Sequence, residues 1–279
     1  MKKYILLICV LGIVITGCQS SKTHTKNTDI IILHTNDTHS QLEPYNQGKD
    51  SEQGGVLRRM EYIRQMREEY ETVFLFDAGD FSQGTPYYNL FHGYPEIWFM
   101  NQQKYDAATF GNHEFDDGVH AFADRVKLAQ FPIICSNYTF KDSLLSNLIK
   151  PYTIIERNGT KIGVFGLVID LHGLSNAPNL MDTIEYHDAI QVAKEMTQKL
   201  KEEHCDLIVC LSHLGFTPDD TTPDNLVCDT LVARQVQDID IIIGGHTHVA
   251  LSQPVQIGRV QIVQNKNQGR TIGCFRLSR

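Results

Sequence analysis

Five short clusters of Asp, Asn and His carry the chemistry that can be read from this 279-residue chain. Asp37 and His39 form the first, Asp77 and Asp80 the second, and Asn112, His113 and Asp116 the third. His213 is the fourth, and His246 with His248 closes the set. Carboxylate, amide oxygen and imidazole are the donors preferred by hard and borderline divalent cations. Softness alone does not choose among Mn, Zn, Fe, Co, Ni or Mg. A lone Asp-x-His or His-x-His is a common loop pattern; the weight lies in five clusters within one chain.

Each cluster follows an apolar run of strand length. Ile30–Leu33 leads to Asp37, Val73–Phe76 to Asp77 and Asp80, and Ala107–Phe110 to Gly111–Asp116. Leu207–Leu211 leads to His213, and Ile241–Ile243 to Gly244–His248. Pro132–Cys135 is a further run of this kind. Between the runs, Val56-Met60-Ile63 and Ala189-Ala193-Met196-Leu200 mark helical faces, with Asp188 placed to cap the second. Asn158-Gly159 between two apolar segments predicts a hairpin. Val255–Leu277 reads as strand-rich, turning at Gly258 and Gly269. Such alternation predicts an α/β fold. Open α/β sheets collect functional groups at the carboxyl ends of their strands, so the five clusters are expected to line one cleft.

The motifs resemble those of the calcineurin-like metallophosphoesterases, and more closely the catalytic domain of the 5'-nucleotidase family. Ile32-Leu33-His34-Thr35-Asn36-Asp37-Thr38-His39 resembles the family's opening motif. Asp77-Ala78-Gly79-Asp80 with Gln83-Gly84-Thr85-Pro86 is similar to the second, and Gly111 to Asp116 to the third. Ser212-His213-Leu214-Gly215 and Gly245-His246-Thr247-His248 complete the series. The resemblance implies a four-layer α/β/β/α sandwich of the metallophosphoesterase type and two divalent metal ions. It implies that Asp37, His39, Asp80 and His248 hold one ion, that Asp80, Asn112, His213 and His246 hold the other, and that Asp80 bridges. It also implies that His113 and Asp116 act as a catalytic pair beside Asn112. Two ions in such a site lower the pKa of a shared water and offset charge on phosphoryl oxygens.

The implied activity is hydrolysis of phosphate esters, foremost a 5'-nucleotidase-type attack on nucleotides outside the cytoplasm. A phosphodiesterase or pyrophosphatase acting on 2',3'-cyclic nucleotides or nucleotide sugars is the alternative enzyme, since the same centre serves both. A lipoprotein that only binds phosphate or nucleotide is the non-enzymatic one. His172, His187 and His204 match no motif, Glu114 has no assigned role, and Trp98 with Phe91 and Phe99 is expected to pack a helix.

The remaining features concern location and partners. Lys2 and Lys3 precede an apolar run from Tyr4 to Ile15, too short to span a bilayer, which reads as an export signal over residues 1–17. Ile15-Thr16-Gly17-Cys18 resembles a bacterial lipoprotein signal. That implies lipid on Cys18, a polar tether over 18–28, and a catalytic domain over 29–279 facing the periplasm or cell surface. The membrane contact expected is the lipid alone. A formal charge of -8 without a basic run argues against a nucleic-acid partner. Cys135, Cys205, Cys210, Cys228 and Cys274 lack zinc spacing and read as buried thiols. About thirty residues follow His248, too few for the nucleotide-recognition domain common in the resembled family. Either a separate protein supplies that domain as a partner, the reading preferred here, or the isolated catalytic domain accepts a simpler phosphoester.

Overall fold

The computed structural model describes residues 26–141, 143–175, 177, 179–217 and 227–278. The signal segment and Cys18 lie outside them. Twelve strands follow one another among the described residues: β1 (Asn27–Thr35), β2 (Tyr70–Asp77), β3 (Ala107–Ala108), β4 (Tyr138–Phe140), β5 (Tyr152–Arg157), β6 (Thr160–Val168), β7 (Ile184–Tyr186), β8 (Leu207–His213), β9 (Ile241–Gly244), β10 (Val255–Ile257), β11 (Val260–Val263) and β12 (Gly273–Leu277). The α-helices are α1 (Val56–Glu69), α2 (Pro86–Phe91), α3 (Tyr94–Gln103), α4 (Val119–Val126), α5 (Ser143–Leu148), α6 (Leu180–Thr183), α7 (Ala189–Glu202) and α8 (Asp229–Gln235).

The strands form two principal sheets. One has the order β12-β1-β2-β3, with β1, β2 and β3 parallel and β12 antiparallel on β1. The other has the order β10-β11-β9-β8-β6-β5, with β6, β8, β9 and β11 parallel. Side-chain alternation, period two in a strand, decides how they stack. Ile30, Ile32, Phe74 and Phe76 share one buried cluster with Ile162, Val164, Val209, Leu211, Ile241 and Ile243, which is the seam between the sheets. Their neighbours Ile31, Leu33, Val73 and Leu75 point the other way, onto Ile63 and Met66 of α1 and Ile97 and Met100 of α3. Ile208, Cys210 and Ile242 likewise meet α7 and α8 through Ala193, Leu200 and Val232. Strands buried on both faces account for the unbroken apolar runs, and the layers are α/β/β/α.

Local expectations agree with this frame in several places. Asn158 (φ 50°) and Gly159 (φ 72°) form the β5–β6 turn, with Arg157 opposite Thr160. The Asp188 carboxylate accepts the Gln191 N–H at 2.7 Å and caps α7. Gly258 (φ 61°) and Gly269 (φ 57°) turn the chain within the final strands.

Other expectations need correction. Pro132–Cys135 forms no strand; Ile133 and Ile134 make single bridges to Ala108 and Lys150, because adjacent residues turn to different partners. The strand expected over Ala107–Phe110 ends at Ala108, and β8 runs two residues beyond Leu211 to His213. The buried face of α1 is Val56, Arg59, Ile63 and Met66, with Met60 at its margin. Asn27 and Thr28, taken as tether, belong to β1. Cys274 is exposed, unlike Cys135, Cys210 and Cys228. Trp98 and Phe91 do not pack inside a helix interface but face solvent. No helix among the described residues is long and apolar enough to cross a membrane.

Candidate metal centre

The carboxyl ends of β1, β2, β3, β8 and β9 lie along one edge of the sandwich, and the loops leaving them bring the five clusters together. Asp37, His39 and His248 present ligand atoms within 4.8 Å of one another, and so do Asp80, His213 and His246. His39 Nε2 and His248 Nε2 face each other at 2.9 Å. The Asn112 amide oxygen lies 3.0 Å from His246 Nδ1 and so joins the second group. One oxygen of Asp80, Oδ2, is 3.0 Å from His213 Nε2 and 4.0 Å from His39 Nε2, and therefore faces both groups.

The donor set suits cations on three further counts. The His213 ring donates Nδ1–H to the Ala78 carbonyl at 2.7 Å, which directs Nε2 at Asp80. Although fully buried, His213 Nε2 makes no hydrogen bond of good geometry, and His39 Nδ1 is also without a partner. A Cβ on Gly111 would collide with both Asp80 Oδ1 and His213 Nε2, so glycine there keeps the space between the two groups open.

Backbone conformation gives the cost of this convergence. Asp37 (φ 47°), His39 (φ 47°), Asp80 (φ 53°), His246 (φ 75°) and His248 (φ 55°) all occupy the left-handed region. Each such residue costs on the order of 1–2 kcal/mol in an L-amino acid. Cross-loop hydrogen bonds hold them there. Asp37 N donates to the Gly79 carbonyl at 2.9 Å, His39 N to the Asp80 carbonyl at 3.0 Å, and His246 N to Asp37 Oδ1 at 2.9 Å.

Electrostatics within the cleft are strongly coupled. Burial, reinforced by Asp80 and opposed by His213, pushes the Asp37 carboxyl up to about 7. Burial would also raise Asp80, but His213, His39 and His113 more than offset it and leave that carboxyl well below the usual range. Burial acting alone would lower His213, yet Asp80 beside it raises the imidazole to about 10. His246 and His248 are pushed down to about 4, first by burial and then by His213 and His39 respectively. His113 is raised, chiefly by its hydrogen bond to Asp116.

Beside the ligand groups, the His113 ring donates from Nδ1 to Asp116 Oδ2 at 2.8 Å. Its centroid is 5.4 Å from that of His39. His113 N also donates to Asp80 Oδ1 at 3.0 Å, tying the pair to the shared carboxylate. Asp116 does not cap α4, whose N-cap is Gly118. His34 is buried and engaged by Asn265, in keeping with a structural role, and His172 lies on the surface against Asp170.

Glu114 is the residue that sequence reasoning left without a role. Its buried carboxylate accepts N–H donors from Asp80 (2.9 Å), Ser82 (2.9 Å) and Gly111 (2.6 Å). It thus joins the loop after β2 to the loop after β3. Its position inside the third cluster was the only available signal, because two of its donors lie more than thirty residues upstream. Asn36 was also passed over; its amide donates to Asp37 Oδ2 at 2.7 Å.

Residues 30–250 match the family model of the calcineurin-like phosphoesterases. The chain is 33% identical over 270 residues to a snake venom 5'-nucleotidase of Crotalus adamanteus, covering 91% of this chain and 44% of the relative. It superposes on a 5'-nucleotidase precursor from Thermus thermophilus with TM-score 0.81 and 29% identity, over 90% of this chain and 51% of the other. A calcineurin-like phosphoesterase of Bacillus subtilis, YfkN, gives TM-score 0.74 and 26% identity over 90% and 85%. The chain spans about half the length of the curated 5'-nucleotidases it matches. With its sandwich, its strand-end clusters and this family match in agreement, the chain belongs to the calcineurin-like phosphoesterase family.

Proposed function

We propose that this chain hydrolyses phosphate monoesters with the help of two divalent cations, and that nucleotides outside the cytoplasm are its substrates. The supporting observation is Asp80, one of whose oxygens faces both ligand groups while the other accepts the backbone N–H of His113. Asp37, His39 and His248 would hold one cation, and Asn112, His213 and His246 the other, with Asp80 common to both. When bound, the cations supply Lewis acidity toward phosphoryl oxygens and a water acidic enough to react near neutral pH.

The chain's own residues do the rest. Asp116 fixes the His113 ring through Nδ1, leaving Nε2 to present a proton to the leaving oxygen. The hydrogen bond to Asp116 shifts His113 toward its protonated form, the form that can give that proton. Partial exposure of both side chains leaves them open to substrate. The nucleotide preference takes its support from the 5'-nucleotidase relatives. Export and lipid attachment at Cys18 belong to the same proposal, on the strength of Lys2, Lys3, the apolar run and Ile15-Thr16-Gly17-Cys18.

Side-by-side assay of AMP, a 2',3'-cyclic nucleotide and a UDP-sugar, with metal analysis of the same sample, tests the reading. AMP turnover well above the other two is expected. Preference for the cyclic nucleotide or the UDP-sugar would instead establish the diesterase or pyrophosphatase. His113→Ala should keep the parent's metal content while losing roughly 10²–10⁴-fold in turnover. Parent-like turnover in that variant removes His113 from the chemistry.

A further inference from the structure

Away from the metal centre, α2, α3 and the turn after α4 share an apolar surface that the proposed hydrolysis does not use. Leu90, Phe91, Tyr94, Trp98 and Leu128 are between 45% and 70% exposed, and they are five of the seven large apolar side chains exposed among the described residues. They line one groove of about 730 Å³, and no Asp, Glu, Lys or Arg lines it with them. Scattered exposed leucines are ordinary, but a contiguous uncharged patch of this kind marks a contact surface.

The polypeptide enters the described fold where α1 and α3 end, and α3 also carries Tyr94 and Trp98. Lys26 Nζ donates to the Arg67 carbonyl at 2.6 Å, at the end of α1. The Arg67 guanidinium donates in turn to the carbonyls of Gln103 (2.6 Å) and Lys104 (2.8 Å), where α3 ends. Trp98 lies five residues before Gln103, about 7.5 Å along the helix. Between Cys18 and Lys26 the chain can reach roughly 28 Å at full extension. An anchor at Cys18 would therefore leave the apolar face within reach of the surface that holds the anchor.

We infer that Leu90, Phe91, Tyr94, Trp98 and Leu128 rest in the interfacial layer of the lipid bilayer to which Cys18 tethers the chain, an inference that depends on the lipid-anchor reading above. Trp and Tyr pair an apolar ring with a polar edge and favour the headgroup boundary. A net charge of -8 gives no attraction to anionic lipid, so the contact is apolar, insensitive to salt, and made on zwitterionic surfaces. A single acyl chain holds a protein weakly, and a second, protein-borne contact strengthens retention.

Trp98 is the only tryptophan of the chain, so its emission reports on this face alone. The test uses the full mature chain in phosphatidylcholine vesicles, with and without bromine on the acyl chains. Flotation of the vesicles scores the anchor, and Trp98 emission scores the face. The chain should float, and brominated lipid should remove at least half of the emission. A Leu90→Ser/Leu128→Ser variant should float equally and hydrolyse a soluble phosphate ester at the parent rate, yet lose most of the quenching. Parent-like quenching in that variant overturns the inference. So does a floating chain whose emission ignores bromine; if Trp98 is then shielded from aqueous iodide, a second protein surface covers the groove instead. A chain that does not float removes the anchor reading, and this inference with it.

Discussion

Glu114 accepts three backbone N–H groups from two loops with one buried carboxylate, and one of those donors is the amide of Asp80. That amide must stay in place for Asp80 to remain at φ 53° with Oδ2 toward both ligand groups. Glu114→Gln replaces one acceptor oxygen by an NH₂ group and leaves at least one buried N–H unsatisfied, a loss of about 1–3 kcal/mol. We expect a lower melting temperature together with reduced metal content after dialysis, both read on the same preparation. Unchanged metal retention would mean that Asp80 is held by its other contacts. The neighbouring pair His113 and Asp116 is tied to the same Asp80 carboxylate through the His113 backbone N–H.

Elements set the reach of these residues. Every ligand loop leaves the carboxyl end of a strand, and parallel pairing of β1, β2 and β3 in one sheet and of β8 and β9 in the other puts those ends on one edge. The β5–β6 hairpin stands outside this constellation and offers a clean measure of turn energetics. A Cβ on Gly159 would meet nothing within 4 Å, so any penalty for a side chain comes from its φ of 72° alone. Gly159→Ala should destabilise the fold by about 1–2 kcal/mol in denaturant titration, with hydrolysis unchanged. A neutral result would show that the turn relaxes to accommodate the substitution.

For the whole molecule, the candidate metal centre carries backbone strain that a cation bound to the folded state would offset. Five candidate ligand residues at positive φ, and an Asp37 carboxyl that burial pushes up to about 7, weigh against the folded chain when no cation is present. Binding to the folded state alone adds about 2.7 kcal/mol when free metal exceeds its dissociation constant 100-fold. For a chain of this size that corresponds to roughly 5–10 °C in melting temperature. Stripping the protein with a chelator should lower the melting temperature by that order, and adding back divalent metal should restore it. A melting temperature indifferent to chelation would contradict a cation shared by these loops.

The sequence alone determined the class of the fold, the strand-end position of all five clusters and the hairpin at Asn158-Gly159. These are local properties: an apolar run followed at once by Asp, Asn or His, and a two-residue turn whose conformational demand is built into its residue types. Boundaries were less legible where tertiary pairing sets them, as in the two-residue β3 and in Pro132–Cys135, which bridges to two partners in place of forming a strand. It took the tertiary structure to show that one oxygen of Asp80 faces both groups, that Glu114 gathers donors from a distant loop, and that Trp98 stands in solvent. Each of these depends on atoms brought together from positions tens to hundreds of residues apart, and no local spacing encodes their distances.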